Sequence, residues 1–404
     1  MKVLYLCHRI PYPPDKGDKI RAFHQLRAIG ELHEVDLFTL ADRPEDLAHQ
    51  SALARFCRHV TVAPISPRLA RLRALPYLLT RTPLTLPYFH CSELAREVRL
   101  ALEKRSYDRI FVYCSAMAQY VEGIRTAPVV TDFVDVDSDK WTQYAAFQRF
   151  PFSAIYRREG KRLCEYEKKV CEQSSCVLVS THREAGLVRQ ISGSARVHVV
   201  ENGVDTSFFD PAAMTPEATA PAIVFTGDMS YFPNEEAVIF FAGKVLPLIR
   251  QRVPDVRFYI VGRNPGPNVR RLEQTGNVEV TGFVPDIRPY LAKARVSVAP
   301  FSIAAGIQNK ILEAMAYGLP VVATARAVQG LSESVAQMVK TGDSPEELAG
   351  EVTGLLNKPE LARQTGLEGR RRVAADYNWD RALERLLQLL EQSTLQMPEP
   401  ARDC

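Results

Sequence analysis

The chain has 404 residues, a formal net charge of +4, and 46% apolar and 24% charged residues. This length predicts two domains, and the composition predicts a globular protein able to bury sizeable cores. No long basic block interleaved with aromatic residues occurs, which argues against a nucleic-acid binder, and no apolar run is long enough to predict a membrane-spanning helix. The eight cysteines form no CxxC pair and several lie in apolar runs, as expected of reduced core residues in a cytoplasmic protein.

The first half of the chain alternates predicted strands with predicted helices. The strand-like runs are, in order, KVLYLC, EVDLFTL, HVTVAPI, IFVYC, PVVTDFVDV, CVLVST and ARVHVV. Strands separated by helical patterns predict βαβ units and a parallel sheet. After the first strand, the loop HRIPYPPDKGD leads into a helix near Gly17, a residue type that permits close backbone approach. This loop is either a plain helix cap or part of a ligand site.

One segment of the first half has a pattern typical of membrane surfaces. Residues Ser66 to Pro87 read SPRLARLRALPYLLTRTPLTLP, with arginines placed among leucines. An amphipathic basic segment of this kind can lie on anionic lipid. The alternative is a solvated helix followed by a loop that the prolines break.

The second half repeats the alternation after a linker rich in Pro, Ala and Thr, DPAAMTPEATAPA. The predicted elements are AIVFTG, a helix over Asn234–Arg250, RFYIVG, VEVTGF, a short helix from Asp286, RVSVAP, a helix in AGIQNKILEAMAYG, and PVVAT. Ser344, Pro345 and Glu347 form a predicted capping box, and a last helix runs from Trp379 to about Glu391. The repeated pattern predicts two Rossmann-like domains in tandem, which bind ligands at the carboxyl ends of their strands.

The helix in AGIQNKILEAMAYGLPVV carries an isolated lysine and glutamate. Its apolar residues recur at helical spacing and predict a buried face: Ile307, Ile311, Leu312 and Met315. Gly318 is a natural stop after the helix, and the small residues around Gly306 leave the helix N-terminus open. Such an end binds anions, phosphate above all. Lys310 and Glu313 are therefore either a surface ion pair or ligands of an anionic substrate.

Four parts of the sequence together resemble the retaining glycosyltransferases of family 4, which have the GT-B fold. The matching stretches are ENGVD at 201–205, FTGDMSYFPNEEA at 225–237, VGRNP at 261–265 with VTGFVPDI at 280–287, and AGIQNKILEAMAYGLPVV. HRIPYPPDKGDKIRAFHQLR narrows the resemblance to sugar transferases associated with exosortase-linked exopolysaccharide systems. The resemblance implies an α/β protein with two Rossmann-like doubly wound domains that face each other across a cleft. It implies an acceptor-side domain over 1–205, a donor-binding domain over 206–375, and a C-terminal helix over 376–392 that packs back on the first domain.

The resemblance also implies roles for single residues on the donor side. Lys310 matches a basic residue that contacts the donor diphosphate, and Glu313 matches the glutamate that holds the nucleotide ribose. The N–H groups of Gly306 and Ile307 would complete the phosphate cradle. The remaining expected donor contacts, from the glycine loop and two strand ends, are Gly227, Arg263 and Phe283.

Three positions depart from the family pattern. Ala305 stands where the first glutamate of the E-x7-E signature usually reads the donor hexose. The loop after Gly227 lacks the family's arginine and lysine, so Arg263 is either a partial substitute or a solvated loop residue. Val134 stands where many relatives have a histidine, within the acidic stretch DFVDVDSDKW. That stretch is either a strand end turning into a helix cap or an acceptor-positioning cluster in which Asp135 has the catalytic role.

On the acceptor side, the expected contacts are Gly17, Asp18, Lys19 and Arg21. The resemblance implies that the chemistry needs no metal or cofactor, and Lys310 and a helix dipole can supply the cationic role instead. The resemblance thus implies a retaining hexosyltransferase that moves sugar from a nucleotide-diphosphate sugar to a glycan or lipid-linked acceptor in exopolysaccharide synthesis. It is expected in the cytoplasm, in reversible contact with the inner membrane face. The alternatives are a nucleotide-sugar epimerase of GT-B fold and a degenerate, non-catalytic scaffold.

Overall fold

The computed structural model describes residues 1–193, 196–214, 221–304 and 306–393. The chain divides into two compact units. The first unit comprises Met1–Glu201 together with the segment that starts at Asp380, and the second unit comprises Asn202–Trp379.

Among the described residues, the first unit contains a seven-stranded sheet in the order β3-β2-β1-β4-β5-β6-β7. Its strands are β1 Lys2–Cys7, β2 Glu34–Ala41, β3 His59–Pro64, β4 Arg109–Tyr113, β5 Val129–Asp132, β6 Cys176–Val179 and β7 Val197–Val199. All neighbouring pairs run parallel. The strand order reverses between β1 and β4, so the topological switch point of this unit lies there.

Helices and short helical turns connect these strands. The α-helices of the first unit are α1 Gly17–Leu32, α2 Gln50–Leu53, α3 Pro67–Ala74, α4 Thr85–Phe89, α5 Ser92–Lys104, α6 Asp137–Ala146, α7 Phe152–Gln173 and α8 His182–Ser192. The 3₁₀ segments are Pro44–His49, Leu75–Leu79 and Ser115–Tyr120.

The second unit contains a six-stranded parallel sheet in the order β10-β9-β8-β11-β12-β13 within its described residues. The strands are β8 Ala222–Thr226, β9 Arg257–Val261, β10 Val278–Gly282, β11 Val296–Ala299, β12 Val321–Ala323 and β13 Lys340–Thr341. Here the order reverses between β8 and β11, which places the switch point of this sheet beside the ends of those two strands.

The helices of the second unit cover this sheet. They are α9 Phe232–Phe240, α10 Leu246–Arg250, α11 Pro267–Arg270, α12 Arg288–Lys293, α13 Asn309–Ala316, α14 Ala325–Val328, α15 Glu333–Ala336, α16 Pro345–Asn357 and α17 Pro359–Asp376. Short 3₁₀ segments occur at Pro211–Ala213 and Arg271–Thr275, and a π-helical segment, Phe241–Val245, joins α9 to α10.

The central strands are buried because their sequences are nearly continuous apolar runs, as in parallel sheets covered on both faces. In β1 the side chains from Val3 to Leu6 have no exposed surface, and Ile223, Val224 and Phe225 of β8 are equally enclosed. The helix α18, Trp379–Gln392, buries Leu386 and Leu390. The Arg109 guanidinium of β4 donates to the Leu390 carbonyl at 2.9 Å, which ties this C-terminal helix to the first sheet.

Local sequence signals for helix ends are confirmed at two sites. Ser344 and Glu347 form the reciprocal hydrogen bonds of a capping box at the start of α16. After α13, Gly318 has a φ of +85°, the left-handed conformation that glycine adopts without steric cost. The cysteine prediction also agrees with the structure, because the seven cysteines within the described residues are all free.

Three predicted elements differ in extent. The strand expected over PVVTDFVDV is only Val129–Asp132, because the chain turns through Val134 with a φ of +65°. The helix expected over Asn234–Arg250 begins two residues earlier, at Phe232, and contains the π-helical segment. The short helix expected from Asp286 begins at Arg288. In the parts of the chain that the structure describes, no helix is both long and apolar enough to cross a membrane.

Candidate active site

The glycine loop after β8 lies against the helix α13. Gly227 donates its N–H to the Val261 carbonyl at 2.9 Å, which holds the loop to the end of β9. A Cβ atom at Gly227 would lie 2.9 Å from Lys310 Nζ and 2.8 Å from Asn234 Nδ2. A side chain at this position would force the Lys310 ammonium or the Asn234 amide to shift, so glycine keeps both groups in place.

Lys310 occupies a defined polar and aromatic environment. Its Nζ donates to Asn234 Oδ1 at 2.5 Å and lies 4.5 Å from the centre of the Phe225 ring and 4.6 Å from that of Phe301. The two ring faces attract the cation electrostatically. Phe225 belongs to β8 and Phe301 follows β11, so the ammonium lies at the switch point of the second sheet. This is the position where open α/β sheets bind ligands.

Asn234 is a residue that the sequence analysis missed. It is almost fully buried in α9, and its Nδ2 donates to the Asp228 carbonyl at 2.8 Å, which orients its Oδ1 toward Lys310. Its position could have been noticed as an amide in the first turn of the helix that follows the glycine loop. Its pairing with a lysine 76 residues away depends on the tertiary structure.

The electrostatics of Lys310 and Glu313 are dominated by burial. Desolvation lowers the pKa of Lys310 to about 7, against the opposing charges of Glu313 and Asp228. Desolvation raises the pKa of Glu313 to about 7, although Lys310 counteracts this shift. Both side chains keep part of their surface exposed, and among the described ion pairs no contact within 4.0 Å joins Lys310 to Glu313. Lys310 and Glu313 therefore do not make the surface ion pair that was the alternative to a ligand-binding role.

The loop before α13 differs from the prediction. The helix begins at Asn309, so Gly306 and Ile307 lie in the preceding loop and Lys310 is the second helical residue rather than a full turn inside. Gly306 has a φ of +60°, and Ile307 packs against the core of the second unit. Asn202, in the ENGVD turn, donates to the Asn309 side chain at 3.0 Å, so this turn lies at the start of α13. Ala305 lies outside the described residues.

Arg263 and Phe283, the remaining expected donor contacts, have different surroundings. The Arg263 guanidinium lies 3.5 Å from the Asp228 carboxylate, next to Gly227, and is mostly covered, so it is not a freely solvated loop arginine. Phe283 follows the edge strand β10 and is 68% exposed. In the sheet, β9 separates β10 from β8, and the role of Phe283 as a donor contact stays a prediction.

In the first unit, the loop between β1 and α1 consists of paired charges. Asp18 accepts a hydrogen bond from Arg9 Nη1 at 2.7 Å and lies 3.4 Å from His8 Nε2. Burial of Asp18 disfavours its charge, but His8 and Arg9 outweigh burial and hold the pKa of this carboxyl well below its usual range. Gly17 is the first residue of α1, as expected for the loop end.

Lys19 and Arg21 lie inside the first unit, which corrects the expectation that they face an acceptor. Lys19 Nζ donates to Asp46 at 3.0 Å, and both residues are buried. Arg21 has no exposed surface and donates to Asp132 Oδ2 at 2.9 Å and to the Val200 carbonyl at 2.7 Å. These pairs hold α1 to neighbouring elements of the unit and leave the two side chains little or no surface for a substrate.

Asp135 lies in a tight turn after β5. Val134, just before it, is a β-branched residue in the left-handed region, an unusual and strained conformation of the kind that occurs at functional sites. The Asp135 carboxyl is half-buried and hydrogen-bonds to Glu184 at the start of α8. Burial raises the pKa of Asp135, and burial together with Asp135 raises that of Glu184, as expected for two carboxyls that share a proton.

His8 is a second residue that the sequence analysis missed. It follows β1 directly, is nearly enclosed, and stacks on Tyr113 of β4 with ring centres 5.9 Å apart. A histidine immediately after the buried run VLYLC is the signal that could have identified it. Among the residues that the structure describes, no three His, Cys, Asp or Glu side chains gather as a metal site requires.

Parts of the chain match known sequences. Residues 220–358 match the family described as glycosyl transferases group 1. A D-inositol 3-phosphate glycosyltransferase of Salinispora arenicola is 31% identical over 265 residues, which cover 58% of this chain and 58% of that protein. The putative glycosyltransferase EpsD of Bacillus subtilis is 26% identical over 229 residues, 51% of this chain and 58% of that protein. The chain thus spans little more than half the length of these relatives.

Solved structures share the fold across nearly the whole chain. A sucrose-phosphate synthase from Thermosynechococcus elongatus superposes with a TM-score of 0.72 at 20% identity, over 97% of this chain and 99% of that one. HepE of Anabaena, in complex with UDP and glucose, gives 0.67 at 16% identity, over 97% of this chain and 99% of that one. The prediction of an α/β protein with two Rossmann-like domains of the GT-B class is confirmed, and the segment 220–358 of the second unit carries the sequence pattern of glycosyl transferases group 1.

Proposed function

We propose that this protein is a group 1 glycosyltransferase that transfers a hexose from a nucleotide-diphosphate sugar to a glycan or lipid-linked acceptor, with retention of configuration. One observation carries the proposal. At the switch point of the second sheet, the Lys310 ammonium stands between two aromatic rings, and the ion pairs of the described residues include none that neutralises it. A desolvated cation that has no carboxylate within ion-pair distance is suited to an anionic ligand.

The donor diphosphate is proposed to bind at Lys310. Its ammonium has three N–H donors, and Asn234 accepts from one of them, so the others can meet phosphate oxygens. The absence of a side chain at Gly227 leaves room for the diphosphate beside the lysine. The N–H groups of Gly306 and Ile307, in the loop before α13, would contribute further hydrogen bonds. Arg263, held by Asp228, would add positive charge at the edge of this site.

The nucleotide ribose is proposed to bind at Glu313. This residue lies three positions after Lys310 on α13, and therefore one turn further along the same helix. A carboxylate can accept hydrogen bonds from both hydroxyls of a vicinal diol. HepE of Anabaena binds UDP and UDP-glucose within a similar fold, which makes uridine diphosphate sugars the first donors to test.

The proposed reaction breaks the bond between the sugar C1 and the diphosphate oxygen. The acceptor hydroxyl oxygen forms the new bond to C1 on the face that the diphosphate leaves, and its proton passes to the departing phosphate oxygen. Lys310 would stabilise the charge that develops on the leaving diphosphate, which is the kind of electrostatic stabilisation that usually dominates catalysis. Because the phosphate takes the proton, this route needs no second carboxylate acting as a nucleophile.

Asp135 is proposed to orient the acceptor hydroxyl. Its position after a central strand, the strained Val134 beside it and its partner Glu184 are the observations that favour this role. The acceptor is proposed to belong to exopolysaccharide synthesis and to be presented in the cytoplasm at the inner membrane face. Reversible attachment there would use the arginine-rich segment Ser66–Pro87.

Nucleotide sugars added to the purified protein test the proposal. A true donor should raise the unfolding temperature, because a ligand that binds only the folded state stabilises it by mass action. Transfer of labelled sugar to an added acceptor, with the anomeric configuration read by NMR, would support the full proposal. If the protein epimerised a nucleotide sugar in the absence of acceptor, it would be an epimerase. A product with inverted anomeric configuration would reject retention. If no nucleotide sugar stabilised the protein, the non-catalytic scaffold would be the alternative left.

A further inference from the structure

The first unit exposes an unusual concentration of large apolar side chains. Of the fifteen large apolar residues that the described chain exposes, eight lie in the stretches 69–79 and 147–152. Phe150 is 84% exposed and Leu79 is 95% exposed. Isolated apolar side chains are normal on a protein surface, whereas a concentration of them marks an interaction site.

The helix α3 buries its small apolar side chains and exposes its large ones, which is the reverse of an ordinary surface helix. It buries Ala70 and Ala74 and exposes Leu69 and Leu72. In water the larger side chains would be expected inside, because burial of a leucine is worth about 2 kcal/mol more than its exposure. The exposed leucines of this helix are therefore suited to contact an apolar environment outside the unit.

Both apolar stretches are attached to the first turns of α7. Arg158, in the second turn of α7, donates to the carbonyls of Tyr77, Thr80 and Thr82, which follow α3. Glu159 accepts from the backbone N–H groups of Leu84 and Thr85 at 2.7 and 2.9 Å. Phe152 begins α7 and lies seven positions before Glu159, hence on the same side of that helix. The loop 147–152 and the segment 66–82 are thus held together by the first turns of α7.

The charged residues within these two stretches of sequence are almost all basic. Residues 66–87 contain four arginines and no acidic residue. Residues 147–162 contain five basic residues, and their single acid is Glu159, which is buried against the backbone of Leu84 and Thr85. Just beyond this stretch, Glu165 pairs with Arg162 at 2.8 Å and leaves the other four basic residues outside that pair. Apolar side chains surrounded by arginines complement an anionic bilayer, where leucine and phenylalanine enter the interface and arginine meets the lipid phosphates.

We propose that residues 66–82 and 147–152 form one two-part surface, the lipid-binding surface, that docks on an anionic membrane. The loop with Phe150 and Phe152 is the part that the sequence pattern of Ser66–Pro87 does not contain. The proposal rests on the proposed function in one respect, since a lipid-linked acceptor is what would bring a glycosyltransferase to a membrane. The donor site in the second unit is a separate set of residues, so donor binding can be measured independently.

Cosedimentation of the full chain with vesicles tests this surface. We expect binding to vesicles of phosphatidylcholine and phosphatidylglycerol at low salt, much weaker binding at high salt, and little binding to phosphatidylcholine alone. Phe150→Ser/Phe152→Ser should weaken binding by about tenfold, through the loss of inserted apolar area. Arg68→Ser/Arg71→Ser should weaken it by roughly 30-fold at low salt, the value for two arginines near an anionic surface.

Two control variants separate this surface from general effects. Leu361→Ser/Leu367→Ser removes exposed leucines from α17 of the second unit, and Arg326→Ser/Arg372→Ser removes the same charge from exposed positions there. Both controls should bind vesicles like the wild type, and all four variants should keep the stabilisation by nucleotide sugar. Wild-type protein that ignores anionic vesicles, a Phe150/Phe152 variant that binds them normally, or a surface that mediates only self-association would overturn the lipid-binding surface. Loss of nucleotide-sugar stabilisation in the wild type would instead count against the proposed function.

Discussion

The two Rossmann-like units differ in how the charged residues near the switch points of their sheets are paired. In the first unit, the charged residues that follow β1 are paired within the unit: Arg9 with Asp18, Lys19 with Asp46, and Arg21 with Asp132. In the second unit, Lys310 and Glu313 lie at the switch point without an ion pair between them among the described contacts. Buried charges in direct contact with an opposite charge hold elements together, whereas desolvated charges without such a contact are suited to bind a ligand. Charged residues of the same types therefore stabilise the fold in the first unit and are suited to bind a ligand in the second.

The largest expected effect belongs to the first unit. Arg21→Met should lower the free energy of unfolding by about 3–5 kcal/mol, because it leaves the fully buried Asp132 carboxylate without its cation. Chemical denaturation followed by circular dichroism measures this loss. The matched control is Arg363→Ala, which breaks an exposed pair with Glu360 and should leave the free energy of unfolding nearly unchanged. Equal losses in the two variants would show that the Arg21–Asp132 pair contributes no more to stability than an exposed pair.

The second prediction concerns Lys310 and should affect turnover rather than folding. Lys310→Ala should reduce kcat by roughly 100-fold, as is typical for the loss of one electrostatic donor to a transition state. Its free energy of unfolding should change little, because removing a desolvated ammonium also removes the cost of burying it. Lys293→Ala is the control, since Lys293 also lies over an aromatic ring of the second unit, that of Tyr290. A Lys310 variant with normal kcat would show that this lysine does not take part in catalysis.

The third prediction is a smaller effect on affinity. Glu313→Gln should weaken donor binding by roughly tenfold to a hundredfold, because charged hydrogen bonds to the ribose are lost while the helix remains intact. Isothermal titration with the donor measures the dissociation constant. Glu236→Gln is the control, because Glu236 is a partly covered carboxyl of the same unit that accepts from Ser302 at 3.1 Å. If only kcat changed and affinity did not, Glu313 would not hold the ribose.

The smallest expected effect is a pH dependence of donor affinity. Glu313, with a pKa near 7, loses its charge as the pH falls, and Lys310, with a pKa near 7, loses its charge as the pH rises. Affinity should therefore peak near pH 7 and fall by up to tenfold per pH unit on each side. Lys310→Arg should remove the alkaline decline and Glu313→Gln the acidic one. A profile that is flat in the wild type would contradict the assignment of both groups.

Much of the second unit could be predicted from local sequence because its signals are local. The capping box at Ser344 and the left-handed Gly318 depend on neighbouring residues only, and both appear as expected. Buried parallel strands such as AIVFT are recognisable because both faces of the sheet must be apolar. The sequence indicated an open helix N-terminus around Gly306, but α13 begins at Asn309, whose side chain accepts from Asn202 of the ENGVD turn, 107 positions away in the chain.

By itself, the sequence determined the fold class, the alternation of strands and helices, and the helix that carries Lys310 and Glu313. The tertiary structure alone decided which charges are neutralised. Arg21 and Lys310 are both cations near the start of a helix, but only the fold places Asp132 against the first and Asn234 with two aromatic rings around the second. The physical reason is that a counter-charge comes from residues distant in the chain, so its presence or absence is a property of packing and not of the local pattern.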